Sequence, residues 1–148
     1  ESPIAIRYPR GNGYIENWKQ PFSKIIIGQG ELLKDGKDTA ILSLGTIAKN
    51  VTKAIKELNV SHYDMRFLKP IDEKLLHKIF KKYKIIFTIE DGSVKGGFGS
   101  EILEFASNNN YSNTIKILGI PDEFIEHGSV SKLQHKLGLN TENLKITK

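Results

Sequence analysis

A chain of 148 residues with 39% apolar and 26% charged side chains has the size and balance of one folded domain, and no apolar run in it is long enough to cross a bilayer. The absence of cysteine excludes a disulfide framework, a thiol nucleophile and a thiolate metal site, in keeping with a cytoplasmic protein. The charge of +5 comes from 22 basic and 17 acidic residues interleaved along the chain; only Lys81, Lys82 and Lys84 cluster, where a helix is expected to end, so a solvated face is expected there and neither nucleic acid nor membrane as a partner.

Residue 1 is a glutamate that runs at once into strand-like Ile4-Ala5-Ile6, so the chain is expected to begin inside a larger protein. Residues 2–10 read as a short strand closed by Pro9, and Gly11, Asn12 and Gly13 open a polar linker in which Trp18, Pro21 and Phe22 are expected to pin the connection to the domain surface. Segments 24–33 and 39–44 are strand-like, and Lys34-Asp35-Gly36-Lys37-Asp38 between them is a hairpin signal that predicts antiparallel neighbours. Gly45-Thr46 then opens a helix, with Thr46 as N-cap and Val51, Ala54, Ile55 and Leu58 as its apolar stripe. Residues 61–67 return as a strand, and Asp72 caps a second helix whose stripe is Leu75, Leu76, Ile79, Phe80 and Tyr83.

The run Ile85-Ile86-Phe87-Thr88-Ile89 lacks the alternation of a half-exposed strand, so it predicts an interior strand of a parallel sheet covered on both faces by helices. It leads through Glu90-Asp91 and a glycine-rich loop into a helix at Glu101 to Ser107. Thr114 to Leu118 is another strand, Ser129 caps a helix carrying Val130, Leu133 and Leu137, and Thr141 caps a short terminal one. The pattern predicts a three-layer α/β/α sandwich with a mixed sheet of about five strands, one of them antiparallel.

Candidate chemistry is sparse. Gly97-Phe98-Gly99 before a helix suggests a phosphate cradle, yet the dinucleotide fingerprint needs a third glycine where Ile102 stands, so close helix-to-strand packing is the expected role. Glu90 and Asp91 end a strand at the edge where α/β proteins place ligands, but neighbours on a strand point to opposite faces; capping or an interface contact is expected rather than acid and base catalysis. Asp64 and Arg66 share a strand face and suggest a structural ion pair. His77 falls off its helix stripe and is expected in solvent, His62 begins a strand, and His135 lies on the last full helix. His127, in the loop before the Ser129 cap, is the best placed of the four for a functional role, and no pair has metal-ligand spacing.

Four stretches carry a resemblance: Arg7-Tyr8-Pro9-Arg10-Gly11; Asp64-Met65-Arg66-Phe67-Leu68-Lys69-Pro70-Ile71-Asp72; Gly96-Gly97-Phe98-Gly99-Ser100; and Gly119-Ile120-Pro121-Asp122 with Glu126-His127-Gly128. In order and spacing they resemble the C-terminal part of the 1-deoxy-D-xylulose-5-phosphate synthases, thiamine-diphosphate enzymes of the transketolase superfamily. The resemblance implies a homodimeric transferase. Such an enzyme uses thiamine diphosphate and Mg2+ to decarboxylate pyruvate and joins the two-carbon unit to glyceraldehyde 3-phosphate, for isoprenoid, thiamine and pyridoxal synthesis. It also implies that residues 1–12 are the tail of a pyrimidine-binding domain, 13–23 a linker and 24–148 a transketolase C-terminal-like domain that holds neither cofactor nor metal and has no catalytic residue of its own. Arg10 then corresponds to a side chain that binds the substrate phosphate, with Arg7 and Tyr8 orienting its loop; a guanidinium suits this role because it offers a planar fork of donors and stays charged. Two other readings stay open: the same domain of another thiamine enzyme, such as a 2-oxoacid dehydrogenase β subunit, and a stand-alone α/β assembly module.

Overall fold

Nine elements alternate along the chain: β1 (Glu31–Lys34), β2 (Thr39–Leu44), α1 (Ala48–Ala54), β3 (Ser61–Asp64), α2 (Glu73–Lys82), β4 (Ile85–Ser93), α3 (Phe98–Asn108), β5 (Thr114–Ile120) and α4 (Val130–Lys136). The structure is a computed structural model, and it describes residues 19, 21–144 and 146. The five strands form one sheet in the order β1-β3-β2-β4-β5. β2, β3, β4 and β5 are parallel, and β1 runs antiparallel beside β3. This is the mixed sheet that the sequence predicts.

Both faces of the sheet are covered, which is why its inner strands are apolar without alternation. On one face Ala40, Leu42 and Ile86 pack against Leu76, Ile79 and Phe80 of α2 and against Phe98, Ile102 and Phe105 of α3. On the other, Ile41, Phe87 and Ile89 meet Val51 of α1 and Ile55 just after it, together with Leu139 and Leu144 near the end of the chain. Asp72 caps α2 as expected: its Oδ1 accepts from the Leu75 amide at 2.9 Å, and its Oδ2 also accepts from the Gly30 amide at 3.0 Å, tying the approach to β1 onto the helix. Among the described residues no helix is long and apolar enough to cross a membrane.

Several local expectations are corrected. The 34–38 turn is not a hairpin: β1 is shorter than predicted and neighbours β3, not β2. A non-local contact decides this, because Gly36 lies against the backbone of Val60, where a Cβ would fall 2.4 Å from the carbonyl carbon. Lys34 Nζ meanwhile donates to the carbonyls of Ile55 at 2.7 Å and Leu58 at 2.5 Å, so the turn is fastened to the end of α1. Thr46 does not cap α1; it lies in a turn in which the Ala48 amide donates to the Gly45 carbonyl, and the helix starts two residues later with no side-chain cap. Leu58, assigned to the α1 stripe, falls beyond the helix and is exposed. The third strand stops at Asp64 instead of Phe67, and Ser129 precedes α4 without a side-chain cap bond. Thr141 starts a turn and no helix, the amides of Asn143 and Leu144 donating to the Asn140 carbonyl.

Candidate functional site

An open parallel sheet binds ligands beyond the carboxyl ends of its strands, where successive connections leave in opposite directions. Here the chain leaves β2 through α1 toward β3 on one side, and leaves β4 through α3 toward β5 on the other. Three turns meet at that edge: Gly45-Thr46 after β2, Met65 to Phe67 after β3, and Val94 to Gly97 after β4.

A groove of about 400 Å³ opens beside the first two, lined by Ile25, Gly45, Thr46, Asp64, Arg66 and Phe67. Arg66 is its basic group, and it stands just past the end of β3 with φ of 57°, a left-handed conformation uncommon outside glycine. Asp64 stabilises that turn by accepting from the Arg66 amide at 3.0 Å, and the Phe67 amide donates back to the Met65 carbonyl at 2.5 Å. The expected Asp64–Arg66 ion pair is therefore corrected. The guanidinium pairs with Glu31 of β1, and Asp64 holds the backbone. The sequence reading missed this feature because it carries the strand three residues further, to Phe67, through the residues that form the turn. Unusual backbone geometry at a strand-end groove is a mark of functional sites.

Glu90 is buried, while Asp91 beside it is exposed, as opposite faces of a strand require. Glu90 Oε2 accepts from the Phe98 amide at 3.0 Å and Oε1 from the Gly99 amide at 3.0 Å, so one carboxylate satisfies two of the first amides of α3. The glycines exist for this approach: a Cβ on Gly97 would lie 2.4 Å from Glu90 Oε2 and 2.2 Å from the Ser93 carbonyl oxygen, and one on Gly99 would lie 2.5 Å from Ile117 Cγ2. The predicted capping and packing roles are both seen. A diphosphate does not fit this helix terminus, whose amides face a built-in anion. Among the described residues no group of three His, Asp or Glu could hold a metal ion.

Two histidines are placed otherwise than their spacing suggests. His77 is half-buried, its Nδ1 2.8 Å from the Tyr111 hydroxyl and its ring 5.0 Å from that of Phe105, which corrects the expectation of a solvated side chain. His62 is fully buried between β2 and α1, with Nε2 2.8 Å from Ser43 Oγ and Nδ1 3.3 Å from Thr52 Oγ1. Both hydroxyls also have a backbone carbonyl to donate to, Thr52 Oγ1 that of Ala48 at 2.9 Å and Ser43 Oγ that of Tyr63 at 3.3 Å, so the ring sits in a closed polar network. Burial pushes His62 down to about 4, keeping the ring neutral. Sealed from solvent, this serine and histidine hold the core and attack nothing. His127 is exposed in the loop between β5 and α4, and His135 Nδ1 is 3.2 Å from the Asn140 amide nitrogen. Arg7, Tyr8 and Arg10 lie outside the described residues.

Residues 28–144 match the family described as the transketolase C-terminal domain. Over 150 residues the chain is 48% identical to a 1-deoxy-D-xylulose-5-phosphate synthase of Bacteroides fragilis, covering 97% of this chain and 23% of that protein. It is likewise 48% identical over 152 residues to the synthase of Cytophaga hutchinsonii, covering 99% and 24%. The chain thus spans about a quarter of the length of the curated relatives it matches. Among solved structures it is similar to a chain described as "Split gene transketolase, inactive beta4 tetramer", with a TM-score of 0.76, 32% identity, and coverage of 84% of this chain and 42% of that one.

Proposed function

The chain belongs to the transketolase C-terminal domain family, and from that premise we propose that it is the C-terminal part of a 1-deoxy-D-xylulose-5-phosphate synthase. The observation that carries this reading is the extent of the likeness. The family match begins at residue 28, whereas near-half identity to synthases reaches 97–99% of the chain and so takes in residues before the domain. A domain shared among many thiamine enzymes would not by itself bring that leading stretch with it.

On this reading the whole enzyme is a homodimer that condenses pyruvate with glyceraldehyde 3-phosphate in the cytoplasm, with loss of carbon dioxide. Thiamine diphosphate and Mg2+ are held by parts of the polypeptide other than residues 19–146, since the helix terminus that could take a phosphate is occupied by Glu90. Residues 1–12 end the preceding domain, 13–23 link it, and 24–148 form the C-terminal domain. Arg10 binds the phosphate of glyceraldehyde 3-phosphate, with Arg7 and Tyr8 shaping its loop. The strand-end groove at Thr46, Asp64 and Arg66 marks the side of the domain we assign to the active site, and Asp91 and His127, both exposed, serve loop or subunit contacts.

The test is an assay of the full-length protein carrying this sequence, with pyruvate, glyceraldehyde 3-phosphate, thiamine diphosphate and Mg2+, following products by mass spectrometry. Formation of 1-deoxy-D-xylulose 5-phosphate supports the reading. Decarboxylation of pyruvate with transfer only to a lipoyl acceptor would place the chain in a 2-oxoacid dehydrogenase.

A further inference from the structure

At the opposite edge of the sheet, before β4 and β5 begin, a second groove of about 620 Å³ runs between the end of α2 and the turn from α3 to β5. Lys81, Lys82 and Lys84 line one wall, and Phe80, Tyr111 and Asn113 are among the groups facing them. Lysines at a helix C-terminus ordinarily serve its unpaired carbonyls. Here Asn113 takes that role, its Nδ2 donating to the carbonyls of Phe80 at 2.9 Å and Tyr83 at 2.5 Å, while the Thr114 amide donates to the Lys84 carbonyl at 3.0 Å.

Lys82 is committed to Asp35 at 3.1 Å and lies 4.9 Å from the centre of the Tyr83 ring. Lys81 and Lys84 are exposed, and among the described residues no carboxylate pairs with either. Tyr111, in the same lining, is held in place: its ring stacks on buried Phe80 with centroids 4.8 Å apart, and its hydroxyl lies 2.8 Å from His77 Nδ1. The groove thus sets two cations without a carboxylate partner beside the Tyr111 ring, in a concavity of the size that small ligands occupy.

We propose that this groove binds a small organic phosphate, whose phosphate group takes Lys81 and Lys84 and whose carbon body lies against Tyr111. A phosphate dianion matches the charge of both cations, whereas a monocarboxylate neutralises only one of the two. The concave shape, and the interleaving of acids with the other lysines, favour a small ligand over a nucleic acid, which needs a continuous basic stripe.

The experiment is equilibrium titration of the full-length protein with phenyl phosphate and with inorganic phosphate at constant ionic strength, comparing the parent with a Lys81→Ala/Lys84→Ala double variant. Both substitutions are at exposed positions, so the fold is kept, and comparing parent with variant removes binding at any substrate site elsewhere in the protein. The parent should show a phenyl phosphate site that the variant binds at least ~10-fold more weakly, and inorganic phosphate should bind that site less tightly than phenyl phosphate. Equal binding of phenyl phosphate by parent and variant overturns the proposal. So does a variant that loses binding of a single-stranded RNA oligonucleotide while keeping that of phenyl phosphate, because the lysines would then serve a polymer.

Discussion

Glu90 and Phe98 are joined across the glycine-rich loop, the Phe98 amide donating to Oε2 of Glu90 at 3.0 Å while the next amide, that of Gly99, donates to Oε1. A side chain within β4, three residues before its end, therefore does the work of a bound anion at the start of the following helix. Glu90→Gln keeps the volume but turns one acceptor into a donor facing a donor. The cost should be about 1.5–3 kcal/mol. Hydrogen exchange at the amides of Phe98 and Gly99 should accordingly quicken by roughly 10- to 150-fold. Unchanged protection there would show that the loop backbone holds α3 without the carboxylate.

Close packing of α3 on the sheet gives a second expectation. In Gly99→Ala the new Cβ would lie 2.5 Å from Ile117 Cγ2 and 2.9 Å from Thr88 Oγ1, so the protein should lose about 1–3 kcal/mol in denaturant unfolding. Adding Ile117→Ala should recover part of that loss relative to Ile117→Ala alone. Strictly additive costs in the double-mutant cycle would place the strain elsewhere.

His62 should make stability depend on pH. Its folded value is about 4 against an ordinary 6.5, so between those values the unfolded chain binds a proton that the folded one refuses. Stability from this residue is complete above pH 6.5 and is lost as pH falls toward 4, amounting to about 3 kcal/mol. Urea unfolding at a series of pH values should show this slope in the parent and a flatter one in His62→Gln. Parallel profiles would mean that the ring is not held neutral.

What the sequence made legible was mostly local. The run from Ile85 to Glu90 and the cap at Asp72 depend on residues within a turn or two of one another and fold as read, whereas the loop is shorter than predicted, because β4 continues to Ser93 and α3 starts at Phe98 instead of Glu101. Glu90 was readable as a cap because a strand-end acid precedes a Gly-Phe-Gly helix start. What escaped depends on distant partners. The hairpin signal at 34–38 gave way to the seat of Gly36 on Val60, and His77 left solvent because Tyr111, 34 residues away, gives it a hydrogen bond beside an aromatic cluster. The Arg66 turn escaped for another reason: its left-handed backbone is set by the Asp64 carboxylate and carries no glycine to announce it.

The domain alone should not take the cofactor. Titrated calorimetrically with thiamine diphosphate and Mg2+, residues 1–148 should give no stoichiometric heat, because the α3 amides are already occupied. Micromolar binding would overturn the assignment of the cofactor to other parts of the polypeptide.

The part this chain plays in the reaction is tested most directly by the selectivity of an Arg10→Ala change in the full-length enzyme, measured by steady-state kinetics with each substrate varied in turn. Loss of one charge-assisted contact of about 1.5–3 kcal/mol should weaken apparent affinity for glyceraldehyde 3-phosphate by roughly 10- to 150-fold. Pyruvate, which has no phosphate, should be little affected, and Arg10→Lys should restore only part of the loss because it keeps the charge without the fork. If Arg10→Ala impaired glyceraldehyde 3-phosphate and phosphate-free glyceraldehyde equally, Arg10 would not be contacting the phosphate, and the assignment of substrate binding to this chain would be contradicted.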